Sequence, residues 1–255
     1  MLEIDQTLGL GYTSRTQQVR RITEDWVARH GYCLRCDCDR LIQTAANTKA
    51  RDFTCQNCSH GYELKSKLGS FSTRVLDGAY GSMLTTIRES RTPTFLLLEY
   101  SSVGRVERLK AIHHSLITQS AIQQRKPLAL TAKRAGWIGC NIILSDIALQ
   151  GQILLLESGR MTPKTTTRSA FARLERLATL SPERRTWAAT ILLLTERLSL
   201  RFSLEDIYQF EAEVQLLFPN NRHLRPKIRQ QLQVLRDAGL LIFLGGGRYE
   251  RAIQI

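Results

Sequence analysis

The stretch CLRCDCDRLIQTAANTKARDFTCQNCSHGYELKSK, residues 33–67, decides how the first part of the chain folds. It contains two CxxC pairs with eighteen residues between them, a spacing that indicates a four-cysteine zinc site. Each CxxC places two thiolates on one tight turn, and two such turns complete a tetrahedron without an open position. We therefore expect a structural Zn2+ ion, with the ligands Cys33, Cys36, Cys55 and Cys58. Cys38 is a competing ligand, because Cys36-Asp37-Cys38 offers a second pairing.

Three charged residues interleave with the second CxxC pair: Asp52, Glu63 and Lys65. Glu63 and Lys65 are two residues apart, so on a strand their side chains point to the same face. Asp52, on a neighbouring strand or bend, can then converge with Glu63 on a hard cation, for which Mg2+ is the expected ion. Such a site activates a water against a phosphodiester, and Lys65 can stabilise the developing charge. The pattern predicts a PD-(D/E)xK nuclease centre, although most Glu-x-Lys pairs are solvated surface residues.

Composition limits the class of protein. The 255 residues are enough for one large or two ordinary domains, and 43% hydrophobic with 23% charged residues is typical of a globular protein. No apolar run is long enough to span a bilayer, and the start MLEIDQTLGLGY lacks a signal-peptide pattern. We therefore expect a cytoplasmic protein without a membrane partner. Cysteines arranged as CxxC pairs also indicate metal ligands in a reducing compartment.

The formal net charge of +13 predicts a polyanionic partner. An imbalance of this size destabilises a compact protein by self-repulsion unless a partner neutralises it. Basic residues cluster at Arg125-Lys126, at Lys133-Arg134 and between Arg225 and Arg229, which favours nucleic acid. The alternative is a generally basic protein with solvated charges.

Hydrophobic periodicity predicts the elements of residues 1–181. We expect a helix over 14–30, with a capping box of Ser14 and Gln17, a left-handed Gly31, and the acidic pair Glu24-Asp25 on a solvated face. Further helices are expected over 77–90 and 168–180, and strands over 93–100, 106–112 and 153–158. Residues 124–142 have no clean period and are predicted to be a functional loop.

A composition break at Leu180-Ser181-Pro182 predicts a second domain over residues 182–255. Three helices are expected in it. The first runs from Arg184 to Leu198, and the third runs from Pro226 to Gly239. The second begins at Ser203 with an S-x-x-D box and is expected to bury Leu217. A β-hairpin with a three-glycine tip follows at residues 240–255. Three helices followed by such a hairpin predict a winged helix.

Several motifs together resemble the DpnI family of methyl-directed restriction endonucleases. They are ITEDWV (22–27), DFTCQNC (52–58), ELKSK (63–67), DGAY (77–80), QRKPLALTAKRAGWIGCNI (124–142) and KIRQQLQVLRD (227–237). The resemblance covers nearly the whole chain and is looser over residues 1–18 and 143–180. It implies an α/β PD-(D/E)xK domain with a four-cysteine zinc site, followed by a winged helix. It also implies that both strands of double-stranded DNA are cleaved at GATC carrying N6-methyladenine, by a prokaryotic enzyme.

The resemblance assigns Asp52, Glu63 and Lys65 to the catalytic positions and Trp137 to the contact with the adenine methyl group. An aromatic face can favour such a methyl group in the major groove by apolar contact. The alternative for Trp137 is a core position, but the neighbouring Arg134, Gly136 and Gly139 indicate an exposed loop. In the third helix of the second domain, Lys227, Arg229 and Gln230 lie outside the apolar stripe, so we expect them to contact DNA.

Two other functions remain open from the residues alone. One is a repair or structure-specific nuclease with the same catalytic core. The other is a zinc-containing regulator in which the second domain binds DNA and no cleavage takes place. For the methyl-directed restriction enzyme, the expected partner is double-stranded DNA methylated at adenine and the expected state is a monomer, with no small-molecule substrate.

Overall fold

The structure, a computed structural model, describes residues 2–45 and 51–252. The first part of the chain contains strands β1–β10 and helices α1–α3, with several short 3-10 turns between them. Their bounds are α1 Arg15–His30, β1 Ile42–Gln43, β2 Phe53–Thr54, β3 Gly61–Leu68, β4 Arg74–Ala79, α2 Tyr80–Arg88, β5 Thr94–Tyr100, β6 Val106–Ile112, β7 Ile122–Gln124, β8 Gly139–Ile143, β9 Gln152–Glu157, β10 Arg160–Met161 and α3 Lys164–Ala178.

A seven-stranded sheet forms the centre of this part, in the order β1-β2-β3-β5-β6-β9-β10. Strands β3 and β5 are parallel, whereas the other neighbours are antiparallel. All seven residues of β5 are buried, as the continuous apolar run predicts. Helix α3 contributes Phe171, Leu174 and Leu177 to the core, and the expected strands at 93–100, 106–112 and 153–158 are confirmed.

A separate three-stranded sheet has the order β4-β8-β7. Strand β4 lies between β3 and β5 in the chain, whereas β7 and β8 follow β6. The prediction of one helix over 77–90 is therefore wrong at its start. Residues 74–79 form β4, because they pair with β8 from Arg74↔Ile143 to Ala79↔Gly139, and α2 begins only at Tyr80. The partner strand β8 lies about sixty residues later in the chain, so the local sequence gives no sign of this pairing.

Two details of α1 also differ from expectation. Ser14 occupies the N-cap, but its side chain makes no capping hydrogen bond, so the predicted capping box does not form. Gly31 has a φ of −73°, which is not left-handed. Glycine is required there for another reason: a Cβ atom would lie 2.5 Å from the carbonyl oxygen of Val27.

Over residues 182–252, the second part of the chain has four helical segments and a small sheet. Their bounds are α4 Pro182–Thr195, β11 Arg201–Ser203, α5 Leu204–Tyr208, α6 Glu211–Leu217, α7 Leu224–Asp237, β12 Leu241–Gly245 and β13 Arg248–Arg251. The hairpin β12–β13 is confirmed, and β11 adds a third strand in the order β11-β13-β12. The capping box of Ser203 and Asp206 is also confirmed.

Four expectations for these helices are wrong. The second helix is broken into α5 and α6, and Leu217 is 52% exposed because α6 ends there. Helix α7 begins at Leu224, so Pro226 is its third residue, where the first turn's N–H groups have no helical partner in any case. The helix ends at Asp237, and Gly239 follows with a φ of +75° as the left-handed residue of a Schellman turn.

The two parts of the chain contact each other through hydrogen bonds. Arg185 of α4 is buried and donates to the carbonyl oxygens of Ile87, Ala178 and Leu180 and to Ser90 Oγ. Glu196 accepts from the backbone N–H of Leu149 at 2.6 Å. Among residues 2–45 and 51–252, no helix combines the length and the apolar character needed to cross a membrane.

Candidate active site and zinc centre

The four predicted zinc ligands lie together. The Sγ atoms of Cys33 and Cys58 are 3.6 Å apart, those of Cys36 and Cys55 are 3.5 Å apart, and all four fall within 4.8 Å of one another. A tetrahedral ion with Zn–S bonds of about 2.3 Å requires Sγ atoms about 3.8 Å apart, so this donor set suits Zn2+. Cys38 lies outside the group, and its thiol donates to the carbonyl oxygen of Arg40.

Backbone groups favour the thiolate form of Cys55. Burial raises the pKa of this thiol, but hydrogen bonds from the backbone N–H groups of Cys58 and Asn57 and from the side chains of Cys36 and Cys33 together lower the pKa to about 6. Such donation is usual where a CxxC turn wraps around a cysteine sulfur, and a thiolate is the form that binds a metal. The turn is tight enough to place Ser59 at a φ of 57°.

The second CxxC pair is also the turn of the β2–β3 hairpin, which we call the zinc hairpin (residues 52–65). Its strands pair with Phe53 opposite Tyr62 and Thr54 opposite Gly61. Immediately outside this register, the N–H of Asp52 donates to the carbonyl oxygen of Tyr62, and the N–H of Leu64 donates to Asp52 Oδ2 at 2.8 Å. These bonds hold the Asp52 carboxylate beside Glu63.

Tyr62 links the first CxxC pair to β3. Its buried hydroxyl accepts from the N–H of Leu34 at 2.9 Å and lies 3.3 Å from the sulfur of Cys33. Because Tyr62 directly precedes Glu63, the cysteine cluster is connected by short bonds to the strand that carries Glu63 and Lys65.

Lys65 lies between two carboxylates. Its ammonium group is 2.6 Å from Glu63 Oε1 and 2.5 Å from Asp77 Oδ1. Burial opposes the charge of Lys65, but the two carboxylates outweigh this effect and raise the pKa of Lys65. Burial also raises the pKa of Glu63 to about 7, although the positive charge of the neighbouring Lys65 lowers it. The sequence pattern brings Glu63 and Lys65 to one face as expected, but it does not identify Asp77.

Asp77 reaches the site from β4 of the three-stranded sheet, opposite Cys140 of β8. The sulfur of Cys140 is 4.0 Å from Asp77 Oδ2. Asp77 and the following Gly78 of the DGAY motif, 77–80, lie inside β4, and the pairing with β8 that makes this segment a strand has no local signal in the sequence.

Helix α1 supplies the other wall of the site. Arg20 lies 3.5 Å from Asp52 Oδ1 and 2.5 Å from Glu24 Oε1, and Gln43 donates to Glu24 Oε2 at 2.6 Å. The expectation of a solvated face is therefore wrong for Glu24, which is 6% exposed because Gln43 and Arg20 cover it. Glu24 is a fourth carboxylate close to the candidate centre.

Two open clefts flank Glu63. One, of about 490 Å³, lies between α1 and the zinc hairpin, and its lining includes Arg20, Glu24 and Asp52 together with Lys65. The other, of about 610 Å³, lies towards α2 and is lined by Asp77 and by basic side chains. Glu63 thus stands where two solvent-accessible clefts meet.

Trp137 lies at the base of the loop that joins β7 and β8. It is half-buried, and the guanidinium of Arg134 stacks over its ring at 4.9 Å. The N–H of Trp137 donates to the carbonyl oxygen of Arg134, and Leu128 on the opposite side donates to Trp137. Leu130 at the tip is 91% exposed, so the loop projects into solvent. Trp137 is therefore not a core residue.

The basic residues of α7 are held in different ways. The ammonium of Lys227 lies 5.6 Å from the ring centroid of Trp187, and Arg229 donates to the hydroxyl of Tyr208 at 2.5 Å. Gln230 is exposed on the same helix. All three lie outside the buried stripe of Ile228, Leu232 and Leu235, as the periodicity predicts.

These features define an α/β protein with a four-cysteine centre next to a cluster of carboxylates, joined to a second unit built on a helix that presents basic side chains. Comparison with known families agrees with both parts. Residues 1–180 match the DpnI model, the Dam-replacing family, and residues 183–251 match the Dam-replacing HTH domain. The chain belongs to the DpnI family of methyl-directed restriction enzymes, with a C-terminal helix-turn-helix domain.

Proposed function

We propose that the protein is a metal-dependent type II restriction endonuclease that cleaves both strands of double-stranded DNA at GATC containing N6-methyladenine. In this proposal residues 1–181 form a PD-(D/E)xK catalytic domain and residues 182–255 a winged-helix domain. The observation that carries the catalytic part is the convergence of Asp52, Glu63 and Lys65 at one end of the zinc hairpin. Family membership supports the DNA substrate and its methylation.

The carboxylates of Asp52 and Glu63 are the groups that would hold Mg2+. Oxygen ligands from carboxylates suit this hard cation, and the raised pKa of Glu63 reflects a buried site rich in negative charge that a cation relieves. When bound, the ion polarises the scissile phosphate and lowers the pKa of a water molecule. The N–H of Leu64 fixes the Asp52 carboxylate, so that this side chain is oriented before DNA arrives.

Lys65 supplies positive charge in this mechanism. Since Glu63 and Asp77 keep it protonated, it stabilises the negative charge that develops on the phosphate rather than accepting a proton. Asp77 acts through Lys65 as a positioning residue. The hydrogen bond of 2.5 Å directs the ammonium group along the face that Glu63 also occupies.

Trp137 and Arg134 are the proposed readers of the methyl group. The loop stands on β8, whose residue Cys140 pairs with Asp77, and so its base is attached to the sheet that carries Asp77. Stacking of Arg134 orders the indole ring and leaves a cation close to any bound phosphate. An apolar face placed this way favours a methyl group in the major groove.

Helix α7 is the proposed recognition helix of the second domain. Lys227, Arg229 and Gln230 are its candidates for phosphate or base contacts, because each has a polar group outside the packed face. The ordered pair of Arg229 and Tyr208 lowers the entropy lost when the arginine binds DNA. We propose that this enzyme acts as a monomer on double-stranded DNA in the cytoplasm of a prokaryotic cell.

Matched plasmids test the proposal. The purified protein is incubated with Mg2+ and two preparations of one plasmid that differ only in adenine methylation at GATC. The expected result is double-strand cleavage of the methylated plasmid alone. Cleavage of both preparations would identify a nuclease that ignores the methyl mark, and binding without cleavage would identify a regulator. Either result would overturn the proposal.

A further inference from the structure

Three side chains outside the candidate active site converge at the far end of β6. His113 and His114 directly follow the strand, and Glu175 reaches them from α3. The Nε2 atoms of both histidines lie 3.4 Å from Glu175 Oε1, and the three possible ligand atoms all fall within 4.8 Å of one another.

The spacing fits a bound ion better than hydrogen bonds. An N–H to oxygen hydrogen bond normally spans about 2.7–3.2 Å, shorter than the separations found here. His113 Nε2 and Glu175 Oε1 are buried, and neither has a hydrogen-bond partner within the described residues. A tetrahedral ion with bonds of about 2.1 Å to nitrogen and oxygen requires ligand atoms about 3.4 Å apart.

The other ring nitrogen of His113 has a hydroxyl partner, because His113 Nδ1 lies 2.8 Å from Ser115 Oγ. His114 Nδ1 is 3.4 Å from Thr94 Oγ1, longer than a usual hydrogen bond. Donation from Nδ1 to a hydroxyl leaves the lone pair of Nε2 free for a metal. The N–H of Ser115 also lies 3.2 Å from His113 Nδ1. If this N–H donates to Nδ1, the competing tautomer of His113 carries its proton on Nε2 and cannot bind a metal there.

Both imidazoles are largely withdrawn from solvent, since the side chain of His113 is 0% exposed and that of His114 is 16% exposed. Glu175 Oε2 is engaged by Arg35 at 3.1 Å, which leaves Oε1 to face the histidines.

The fourth side of this group opens onto a pocket of about 290 Å³. His114 and Glu175 line it, together with the basic side chains of Arg35, Arg51, Arg91 and Arg185. The pocket gives a metal ion access from solvent. The single negative charge of Glu175 does not neutralise a divalent cation and the four arginines around it. The excess positive charge therefore favours an anion as the fourth ligand.

We propose that His113, His114 and Glu175 hold a divalent transition-metal ion, separate from the four-cysteine centre, with a phosphate-type oxyanion as its fourth ligand. Two imidazoles and one carboxylate form a donor set that suits zinc and leaves one position open. The site differs from the four-cysteine centre in this respect, because four thiolates leave no position for a further ligand.

Metal analysis by mass spectrometry tests the assignment. The purified full-length protein is expected to contain two transition-metal ions per chain, and the Glu175→Gln variant one. Glu157→Gln, which makes the same chemical change on an exposed strand residue, is expected to retain both. One ion per wild-type chain, or two in Glu175→Gln, would overturn the site.

Two measurements on the wild-type protein avoid any dependence on the folding of a variant. Anomalous diffraction at the metal edge is expected to show a peak between the three side chains, and its absence would favour the competing tautomer and overturn the proposal. X-ray absorption at the metal edge of the protein purified without phosphate is expected to change when inorganic phosphate is added, because the open position of one ion would take a phosphate oxygen. A spectrum that does not change with phosphate would overturn the anionic fourth ligand.

Discussion

The zinc hairpin and the three-stranded sheet each provide one carboxylate to Lys65, but they do so in different ways. The hairpin carries Glu63 and Lys65 two residues apart on β3. Pairing between β2 and β3 and a hydrogen bond from the N–H of Leu64 hold Asp52 beside Glu63. The three-stranded sheet provides Asp77 through pairing with Cys140, which stands 63 residues later. In the proposed mechanism the hairpin provides the metal ligands and Lys65, whereas the sheet provides Asp77 and carries the loop of Trp137.

The largest expected effect comes from removing the metal that closes the hairpin. In Cys55→Ser, we expect the protein to contain one zinc ion fewer and to lose most of its ordered structure over residues 33–45 and 51–62. Structural zinc in small metal-binding peptides contributes about 10–16 kcal/mol of binding free energy, which couples directly to folding. Metal analysis and thermal unfolding measure both changes. Cys38→Ser is the matched control, because Cys38 lies outside the cluster, and it is expected to keep its zinc.

The next largest effect is expected at Asp52. Asp52→Ala removes a proposed metal ligand at the hairpin's edge, and cleavage of methylated plasmid is expected to fall about a thousandfold or more, since the ion supplies several kcal/mol of stabilisation. DNA binding, measured in the presence of Ca2+, is expected to remain close to that of the wild type. If Asp52→Ala cleaved DNA as fast as the wild type, Asp52 would not be a catalytic residue, and the hairpin would not provide the metal ligands as proposed.

Local chemistry explains why much of the hairpin could be predicted and Asp77 could not. The CxxC spacing and the two-residue period of Glu63 and Lys65 are properties of a short segment, and so they are visible in sequence. Asp77 lies in β4, which is a strand only because β8 pairs with it from a distant part of the chain. The burial of Glu24 has a similar cause, because Gln43 from β1 covers it.

In the second domain, the apolar stripe of α7 and the Ser203 capping box follow from periodicity and local hydrogen bonding, so both could be predicted. The break between α5 and α6 could not, because the apolar spacing continues through Gln209 and Phe210. The bond between Arg229 and Tyr208 joins different helices and has no local signature. The proposed roles of these residues in DNA contact therefore remain predictions.

A substitution at Asp77 tests whether the three-stranded sheet influences Lys65. Asp77→Asn leaves Lys65 with one carboxylate partner, and cleavage is expected to slow about tenfold to a hundredfold, less than the loss at Asp52. As a positioning effect it is expected in kcat, with little change in KM. The pKa of Lys65 is also expected to fall, because one of the charges that raise it is gone, and this is measurable by NMR.

Asp146→Asn is the matched control for this change, since Asp146 is an exposed aspartate on a short turn after β8. It is expected to cleave at the wild-type rate. If Asp77→Asn and Asp146→Asn were equally active, the sheet would have no influence on Lys65, and the hairpin alone would account for the chemistry.

The smallest expected effect concerns the loop that the three-stranded sheet carries. Trp137→Ala removes the apolar face proposed to contact the methyl groups, and one methyl group is worth roughly 0.8 kcal/mol. With one methyl on each strand of GATC, the preference for methylated over unmethylated plasmid is expected to fall roughly tenfold. Leu130→Ala at the exposed tip of the same loop is the control and is expected to keep the preference. An unchanged ratio in Trp137→Ala would mean that the sheet positions Asp77 but takes no part in reading the methyl mark.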